Sequence, residues 1–234
     1  MPGESSAHHP LPGKGSEAWQ ARLPPVLSLV AGMSDVIGFL KFNLFTAHIT
    51  GNLVVIAALL VRGGPPDIAL ILAVPVFVLA VAGIWAIAKV TKRRGRSLAR
   101  ILLLLQFLLF GLVLILTVVR NPAANQQGVT DIVTPLLAVS AIACQFTLLP
   151  LTLPGAPSTS VMTFNTTNIV MSLLDTISGG EPVTKGAQER LNRTLPAVVG
   201  FFIGCLVGAL AFSWFGNWAW SLPFVGSALA VALV

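Results

Sequence analysis

Two ionisable side chains, Asp35 and His48, lie thirteen residues apart in a stretch of the chain that is otherwise largely apolar. An aspartate can bind a proton or a cation, and a histidine changes its charge near neutral pH, so together they could relay protons. Ionisable groups at membrane depth are costly and usually face a bundle interior or a water-filled path. The alternative is that Asp35 contacts Lys41 or the amide groups of a helix end and only fixes packing.

Thr50 and Asn52 follow the histidine, on either side of Gly51, at the point where a second helical piece would begin. The free N–H groups and partial positive charge of such a helix end suit an anionic group. The two side chains could equally cap the helix. Gly32 and Gly38 flank the aspartate, and with Gly51 they are predicted hinges, because glycine lowers the cost of a bend and permits close approach.

A second polar tract lies in the later part of the chain, where no charged residue occurs between Asp131 and Asp175. Gln145 stands there at the place of the acid, and the prolines after it would interrupt a helix. Hydroxyl and amide groups of this tract could line the other wall of the same path, or could serve helix packing. The predicted path residues are Gln145, Asn165, Thr167 and Asn168, and the predicted hinges are Pro154 and Gly155.

The elements that must position these side chains are helices in a membrane. Hydrophobic residues make up 55% and charged residues 9% of the 234, and the mean hydropathy is +0.88, whereas soluble domains are roughly one-quarter charged. Several apolar runs reach the roughly 20 residues that a helix needs to cross the hydrocarbon core. Because lipid offers backbone groups no partners, we predict an all-α polytopic membrane domain over residues 24–234. Residues 1–23, rich in Pro, Gly, Ser and His, are predicted to be a disordered cytoplasmic tail.

Six Lys and Arg residues crowd one short connection between two apolar runs. A basic cluster in a soluble chain would suggest nucleic acid. Between spanning helices it indicates a cytoplasmic loop that contacts anionic lipid head groups, so no nucleic-acid partner is expected. The six residues are Lys89, Lys92, Arg93, Arg94, Arg96 and Arg100.

The number of crossings depends on residues 24–62 and 130–176. Each stretch either crosses once, with a broken or re-entrant portion, or forms two full helices, which gives six or eight crossings. Six crossings place eleven Lys and Arg inside and two outside, whereas eight crossings place seven on each side. The positive-inside tendency favours six crossings with both termini cytoplasmic, and eight is the alternative.

Residues 24–120 and 130–234 are predicted to be two repeated halves, each opening with its broken segment. Residues 50–54 can be laid against residues 166–170, and an apolar run and two spanning helices follow each tract. Three crossings per half would invert the second half relative to the first. Secondary transporters commonly have this arrangement, and their broken helices form the site near the midplane.

The tract AGMSDVIGF at residues 31–39, followed by Phe45 and by HITGN at residues 48–52, resembles the signature of the YoaK-like membrane proteins, the family DUF1275 of unknown function. Members of that family show a Gly-x-x-Asp-x-x-x-Phe stretch and then Thr-Gly-Asn after a hydrophobic turn. The resemblance covers residues 24–234 and implies a small multi-pass membrane protein without an established activity. The matching residues are Gly32, Asp35, Phe39, Thr50, Gly51 and Asn52.

Two classes of function fit these observations. One is a small secondary transporter or channel-like permease in a bacterial plasma membrane, coupled to protons, with an unidentified solute or ion as its substrate. The other is a non-transporting scaffold that binds lipid or a partner protein, in which the polar tracts are caps and helix contacts. The chain has no nucleophile elbow and no metal-binding motif, so we expect no enzymatic activity, no cofactor and no metal. The sequence leaves the oligomeric state open.

Overall fold

A computed structural model describes residues 14–64, 67–91, 95–119, 128–159, 161–178 and 181–234. All regular secondary structure within these ranges is helical. The elements are α1 (Lys14–Phe42), α2 (Ile49–Arg62), α3 (Ile68–Thr91), α4 (Gly95–Val119), α5 (Val129–Thr152), α6 (Met162–Ser178), α7 (Glu181–Phe215), a 3-10 helix (Gly216–Trp220) and α8 (Ser221–Leu233).

Within the described ranges, five segments are long and apolar enough to cross a membrane, which confirms the class of a helical membrane protein with several spans. The last of them contains α7, the 3-10 helix and α8 and is 49 residues long. The segments are Trp19–Phe42, Ile68–Thr91, Gly95–Val119, Val129–Thr152 and Lys185–Leu233.

The first helix begins earlier than the composition indicates. It starts at Lys14, so residues 14–23, which composition assigns to the tail, belong to α1, and both Trp19 and Leu23 are buried in the bundle. Residues 1–13 of the predicted tail lie outside the described residues, as do Lys92, Arg93 and Arg94 of the basic connection.

Two spanning helices end in a reversal of the chain. After α1, residues 43–48 turn back along the helix, because the Thr46 hydroxyl lies 2.9 Å from that of Ser34, two turns before the end of α1. After α5, residues 153–159 turn back in the same way, and Thr159 accepts a hydrogen bond from Gln145 at 3.3 Å. We refer to residues 43–48 with the start of α2 as the first hook, and to residues 153–159 with the start of α6 as the second hook.

Each hook contains a residue with left-handed backbone geometry that permits the reversal. Asn43 has a φ of 52°, and Gly155 has a φ of 89°. Asparagine and glycine are the residue types that adopt this geometry at least cost. The predicted hinge at Gly155 therefore lies at a break in the structure.

The helices pack in pairs that fix their relative directions. α1 contacts α5, α7 and α8; α5 contacts α3 and α4; α2 packs on α3, α6 on α7, and α4 on α8. α1 and α7 run in the same direction, since Gly200 lies against Pro25 and Gly208 against Val36. α4 and α8 run in opposite directions, because Arg100 donates to the Val234 carbonyl oxygen while Gly111 lies against Phe224.

Two ends of the bundle can be distinguished by these contacts. At the basic end, Arg96 and Arg100 of α4 both donate to the Val234 carbonyl oxygen. At the far end, Lys41 of α1 donates to the Asn217 side chain, whose amide donates to Thr117 O of α4 at 2.8 Å. α1, α4 and α7 therefore run from the basic end to the far end.

Candidate functional site

The Asp35 carboxylate ties the first hook to α1. Its Oδ1 accepts hydrogen bonds from Ala47 N at 2.7 Å and His48 N at 3.2 Å, and its Oδ2 lies 2.6 Å from His48 Nδ1. The two backbone N–H groups lie immediately before α2, where the partial positive charge of a helix start favours an anion. Asp35 therefore holds helix-end amides, one of the two contacts considered for a packing role, and it also contacts an ionisable partner.

Lys41, the other predicted partner of Asp35, is held elsewhere. Its Nζ donates to Asn217 Oδ1 at the far end of the bundle. The charge next to Asp35 is therefore that of His48, and the pair can carry a proton between two side chains that lie at hydrogen-bond distance.

Asn52 and Gly38 shape the first hook around this pair. The buried Asn52 side chain accepts from Phe45 N and donates to Phe45 O, each at 2.8 Å. It therefore closes the hook and does not cap α2, whose N-cap residue is His48. A Cβ atom at Gly38 would lie 2.8 Å from Thr46 Cγ2, so only glycine lets the hook pack this closely on α1.

A cavity of about 360 Å³ opens beside the Asp35–His48 pair, and we refer to it as the first cavity. Asp35 is 7% exposed at its side chain, whereas His48 is 40% exposed. The imidazole is therefore the polar group that the cavity reaches, with the carboxylate behind it. The lining residues are Asp35, Val36, Phe39, Phe45, His48, Gly51, Phe201 and Cys205.

The second hook repeats the local geometry of the first with amides in place of charges. Asn165 Nδ2 donates to Ser158 O at 2.6 Å, seven residues earlier, as Asn52 does to Phe45 O. Both asparagines are the fourth residue of their short helix. Gln145 lies seven residues before the end of α5, as Asp35 does before the end of α1, which agrees with its predicted place.

Gln145 connects three helices at this place. Its Nε2 donates to Leu27 O of α1 at 2.8 Å and to Thr159 Oγ1, while its Oε1 accepts from Gln106 Nε2 of α4 at 2.9 Å. Among the described residues, the buried oxygen atoms Gln106 Oε1 and Ser28 Oγ have no hydrogen-bond partner. Unsatisfied buried polar atoms are rare, and they mark a place that water or a solute could use.

A second cavity, of about 580 Å³, lies at the second hook near the basic end. It is bordered by residues 20–25 of α1, by the end of α5 and by residues 189–196 of α7. Its polar side chains include Gln20, Glu189, Asn192 and Arg193, and Arg193 donates to Gly155 O at 3.3 Å. Pro154 and Gly155, both predicted hinges, line this cavity.

The two cavities lie on the same pair of helices, α1 and α7, on either side of a close contact. The contact consists of Gly32 on α1 and Gly200, Gly204 and Gly208 on α7, which we refer to as the glycine seam. A Cβ atom at Gly32 would lie 2.2 Å from Phe201 O, and one at Gly204 would lie 2.3 Å from Leu29 O. Small residues at membrane interfaces allow such an approach of two backbones.

Three predicted hinges are helical contact positions instead. Gly32 and Gly38 lie inside α1 and Gly51 inside α2, so none of them stands at a break. Gly51 lies against the Phe45 ring, with its Cβ position 3.1 Å from Phe45 Cδ2. The physical reason for glycine at these positions is the close approach of a neighbour.

Three predicted path residues do not join either polar cluster. Thr50 and Thr167 are exposed, and the Thr167 hydroxyl donates to Thr163 O within its own helix. Asn168 is partly exposed and lies one turn beyond Asn165. The alignment of residues 50–54 with residues 166–170 is therefore wrong in the structure, where Asn165 takes the place of Asn52.

Two interactions of the bundle were not anticipated from the sequence. Gln106 is the lone amide in an apolar run, and this isolation was a signal that could have indicated a buried partner. Asn217 stands between tryptophans in a turn, and its role in joining Lys41 to Thr117 had no sequence signal.

Comparison with known families agrees with the signature around Asp35. The family model described as Protein of unknown function (DUF1275) matches residues 23–234. The chain belongs to the DUF1275 family. No curated protein and no solved structure matches this DUF1275 chain.

Proposed function

We propose that this DUF1275 protein is a small carrier or channel-like permease that moves a solute across the membrane and couples the movement to protons. The observation that carries the proposal is the Asp35–His48 pair, 2.6 Å apart, beside a cavity at the point where a spanning helix turns back. Ionisable pairs at such breaks are typical of proton relays in transporters. The solute is moved without a chemical reaction.

We infer a topology of six crossings, in which the 49-residue segment crosses twice, and this topology fits the proposal. α1, α4 and α7 run from the basic end to the far end, and α3, α5 and α8 return; α8 crosses together with the 3-10 helix before it. Arg96 and Arg100 lie at the basic end, and by the positive-inside tendency they support our proposal that this end faces the cytoplasm in a bacterial plasma membrane. Both termini then face the cytoplasm. α2 and α6 are the short outgoing limbs of the two hooks.

The helix packing supports two inverted halves, residues 24–120 and 130–234. Exchanging α1 to α4 with α5 to α8 in order converts each helix pair into another pair that is in contact: α1 and α7 become α5 and α3, and α2 and α3 become α6 and α7. Leu27 O in the middle of α1 accepts from Gln145, and earlier residues of α1, Gln20 to Pro25, border the second cavity together with Thr152 at the end of α5, so these helices run in opposite directions. Inverted halves of this kind allow one site to be exposed at either end.

The closed glycine seam between the two cavities supports alternating exposure. The backbones of α1 and α7 touch at Gly32 and Gly204, between the level of Pro25, which lines the second cavity, and that of Val36, which lines the first. A carrier needs such a barrier, and movement of one half against the other would open it. The polar atoms of Ser28 and Gln106 lie buried near this level and would border the passage.

The experiment is proton flux into liposomes that contain the purified protein under an imposed pH gradient, with a panel of amino acids, sugars, carboxylates, nucleosides and organic cations. We expect solute-dependent flux that disappears in Asp35→Asn and His48→Ala. Asp35→Asn keeps an oxygen that accepts from Ala47 N, so the hook can persist without the charge. The matched control is Asp175→Asn, which removes the same charge from an exposed ion pair with Arg190.

The scaffold class is favoured by one observation, the use of the Asp35 carboxylate to hold helix-end amides. In a scaffold, Asp35→Asn would lower stability or change nothing, and no solute of the panel would drive proton flux. Folded Asp35→Asn protein that has lost flux separates the two classes.

A further inference from the structure

The first cavity combines an apolar, aromatic lining with few ionisable groups, and this combination indicates which class of ligand it binds. Three phenylalanine rings line it: Phe39 and Phe45 are stacked with centroids 4.6 Å apart, and Phe201 approaches the His48 ring with centroids 5.4 Å apart. The groups in the lining that can bear charge are Asp35, His48 and the Cys205 thiol. A sugar or a zwitterion would lose hydrogen bonds to water here without replacement.

The Asp35–His48 pair has two charge states that differ by one proton. With His48 protonated, the pair is neutral overall; with His48 neutral, the carboxylate leaves a net charge of −1 beside an apolar cavity. A net charge in such a place is costly without a counter-charge. Either a proton on the imidazole or a cation in the cavity can supply the counter-charge.

The aromatic rings extend the attraction to cations that carry apolar groups. The faces of aromatic rings attract positive charge, and clusters of aromatic rings recognise quaternary ammonium groups. His48 Nδ1 is held by Asp35, and the imidazole makes no other side-chain hydrogen bond within the described part of the chain. Nε2 is thus the ring nitrogen that releases its proton when the cation arrives.

We propose that the first cavity binds a hydrophobic organic cation in exchange for one proton from His48. The inference rests on the proposed function and names its substrate class. On binding, the N–H bond of the imidazolium breaks and the proton passes to water, while the organic cation takes over the neutralisation of Asp35. On the other side of the membrane the exchange is reversed, which makes the protein a proton-coupled exporter of such cations.

The titratable groups around His48 agree with a single proton being exchanged. α1 presents Asp35 and α7 presents the Cys205 thiol. α2 has no titratable side chain before Arg62 at its opposite end, and Lys41 is held by Asn217. His48 is the group in this set whose charge changes near neutral pH.

The test is binding of tetraphenylphosphonium to the purified protein in detergent, measured by calorimetry. Tetraphenylborate, with nearly the same shape and the opposite charge, is the control ligand. We expect tetraphenylphosphonium to bind more than about tenfold tighter at about pH 8.5 than at about pH 5.5, with release of roughly one proton near neutral pH. Equal affinity for the two ligands would overturn the proposal, because it would indicate a surface that selects only for apolar groups.

Three variants sharpen the test. Asp35→Asn should weaken binding of the cation roughly tenfold or more, because the unit charge that attracts it is lost, whereas Asp175→Asn should not. His48→Gln should bind the cation with no dependence on pH between these values, since no imidazole titrates. Unchanged affinity in folded Asp35→Asn, or a retained pH dependence in His48→Gln, contradicts the proposal even if one of the variants fails to fold.

The cation site and the transport function can be refuted independently of each other. Tight, pH-dependent binding of tetraphenylphosphonium without flux in liposomes would refute the transport function and leave the cation site supported. Flux driven by another solute of the panel, with no binding of tetraphenylphosphonium, would sink the cation site and leave the carrier.

Discussion

Replacement of Asn52 by alanine should destabilise the protein by loosening the first hook. The Asn52 side chain is completely buried and satisfies both backbone groups of Phe45, each at 2.8 Å. Loss of each hydrogen bond costs about 1 kcal/mol, and each buried polar group left alone costs about 1–3 kcal/mol. We therefore expect a loss of about 2–4 kcal/mol in total.

The corresponding residue of the second hook gives an internal comparison. Asn165→Ala removes the hydrogen bond to Ser158 O at 2.6 Å and a long, weak one to Met162 Sδ at 3.9 Å, so a loss of about 1–2 kcal/mol is expected. Asn168→Ala and Thr50→Ala change positions that are partly or fully exposed. Substitutions of that kind usually stay within about 0.5 kcal/mol.

The assay is the free energy of unfolding in mixed micelles, titrated with denaturing detergent and followed by the fluorescence of the five tryptophans. The expected order of destabilisation is Asn52→Ala, then Asn165→Ala, then the two control substitutions. If Asn168→Ala cost as much as Asn165→Ala, the equivalence of Asn52 and Asn165 would be refuted. A neutral Asn52→Ala would refute the role of the asparagine in closing the hook.

Two further predictions concern the interior of the bundle. Gly32→Ala should destabilise the protein by about 1–3 kcal/mol in the same titration, because the new methyl group meets Phe201 O at the glycine seam. The control is Gly83→Ala on α3, where a Cβ has no neighbour within 4 Å. This substitution should be neutral or stabilising by about 0.5–1 kcal/mol. Gln145→Leu should lower the free energy of unfolding by about 1–3 kcal/mol, because it leaves the buried Gln106 amide without its hydrogen-bond partner. The double variant Gln106→Leu with Gln145→Leu should recover part of that loss. Additive losses in this double-mutant cycle would mean that the two amides do not act together.

The part of the fold that follows from composition was predictable from the sequence. Apolar length gives the spanning helices, and the combination of glycine, proline and polar residues gives the two breaks. The partnership of Asp35 with His48 was also within reach, because a break after α1 lets a residue thirteen positions later fold back beside the acid.

The register of the second half was out of reach for a simple reason. Residues 153–161 form a connection three residues longer than residues 43–48. A comparison of the amino-acid types aligns Asn52 with Asn168, whereas the position within the short helix aligns Asn52 with Asn165. The loop length that decides between them is a property of the folded chain.

The roles of single residues depended on partners that are remote in the sequence. Gly32 contacts a backbone oxygen on α7, and Lys41 contacts Asn217, which follows it by 176 residues. Sequence indicates that a glycine can bend and that a lysine needs a partner, but only the packing of α1 on α7 determines which partner each one meets. The same holds for the amide of Gln106, which finds Gln145 across α4 and α5.

The measurement that tests the coupling most directly is the reciprocal of pH-driven flux. Liposomes carrying the protein are prepared at the same pH inside and outside, a gradient of each solute in the panel is imposed, and the internal pH is followed. A proton-coupled carrier must move protons when its solute moves, even though no proton gradient is imposed. Asp35→Asn must abolish this proton movement, and Asp175→Asn must retain it. Movement of the solute with no change of internal pH, or equal proton movement in folded Asp35→Asn protein, would contradict the account.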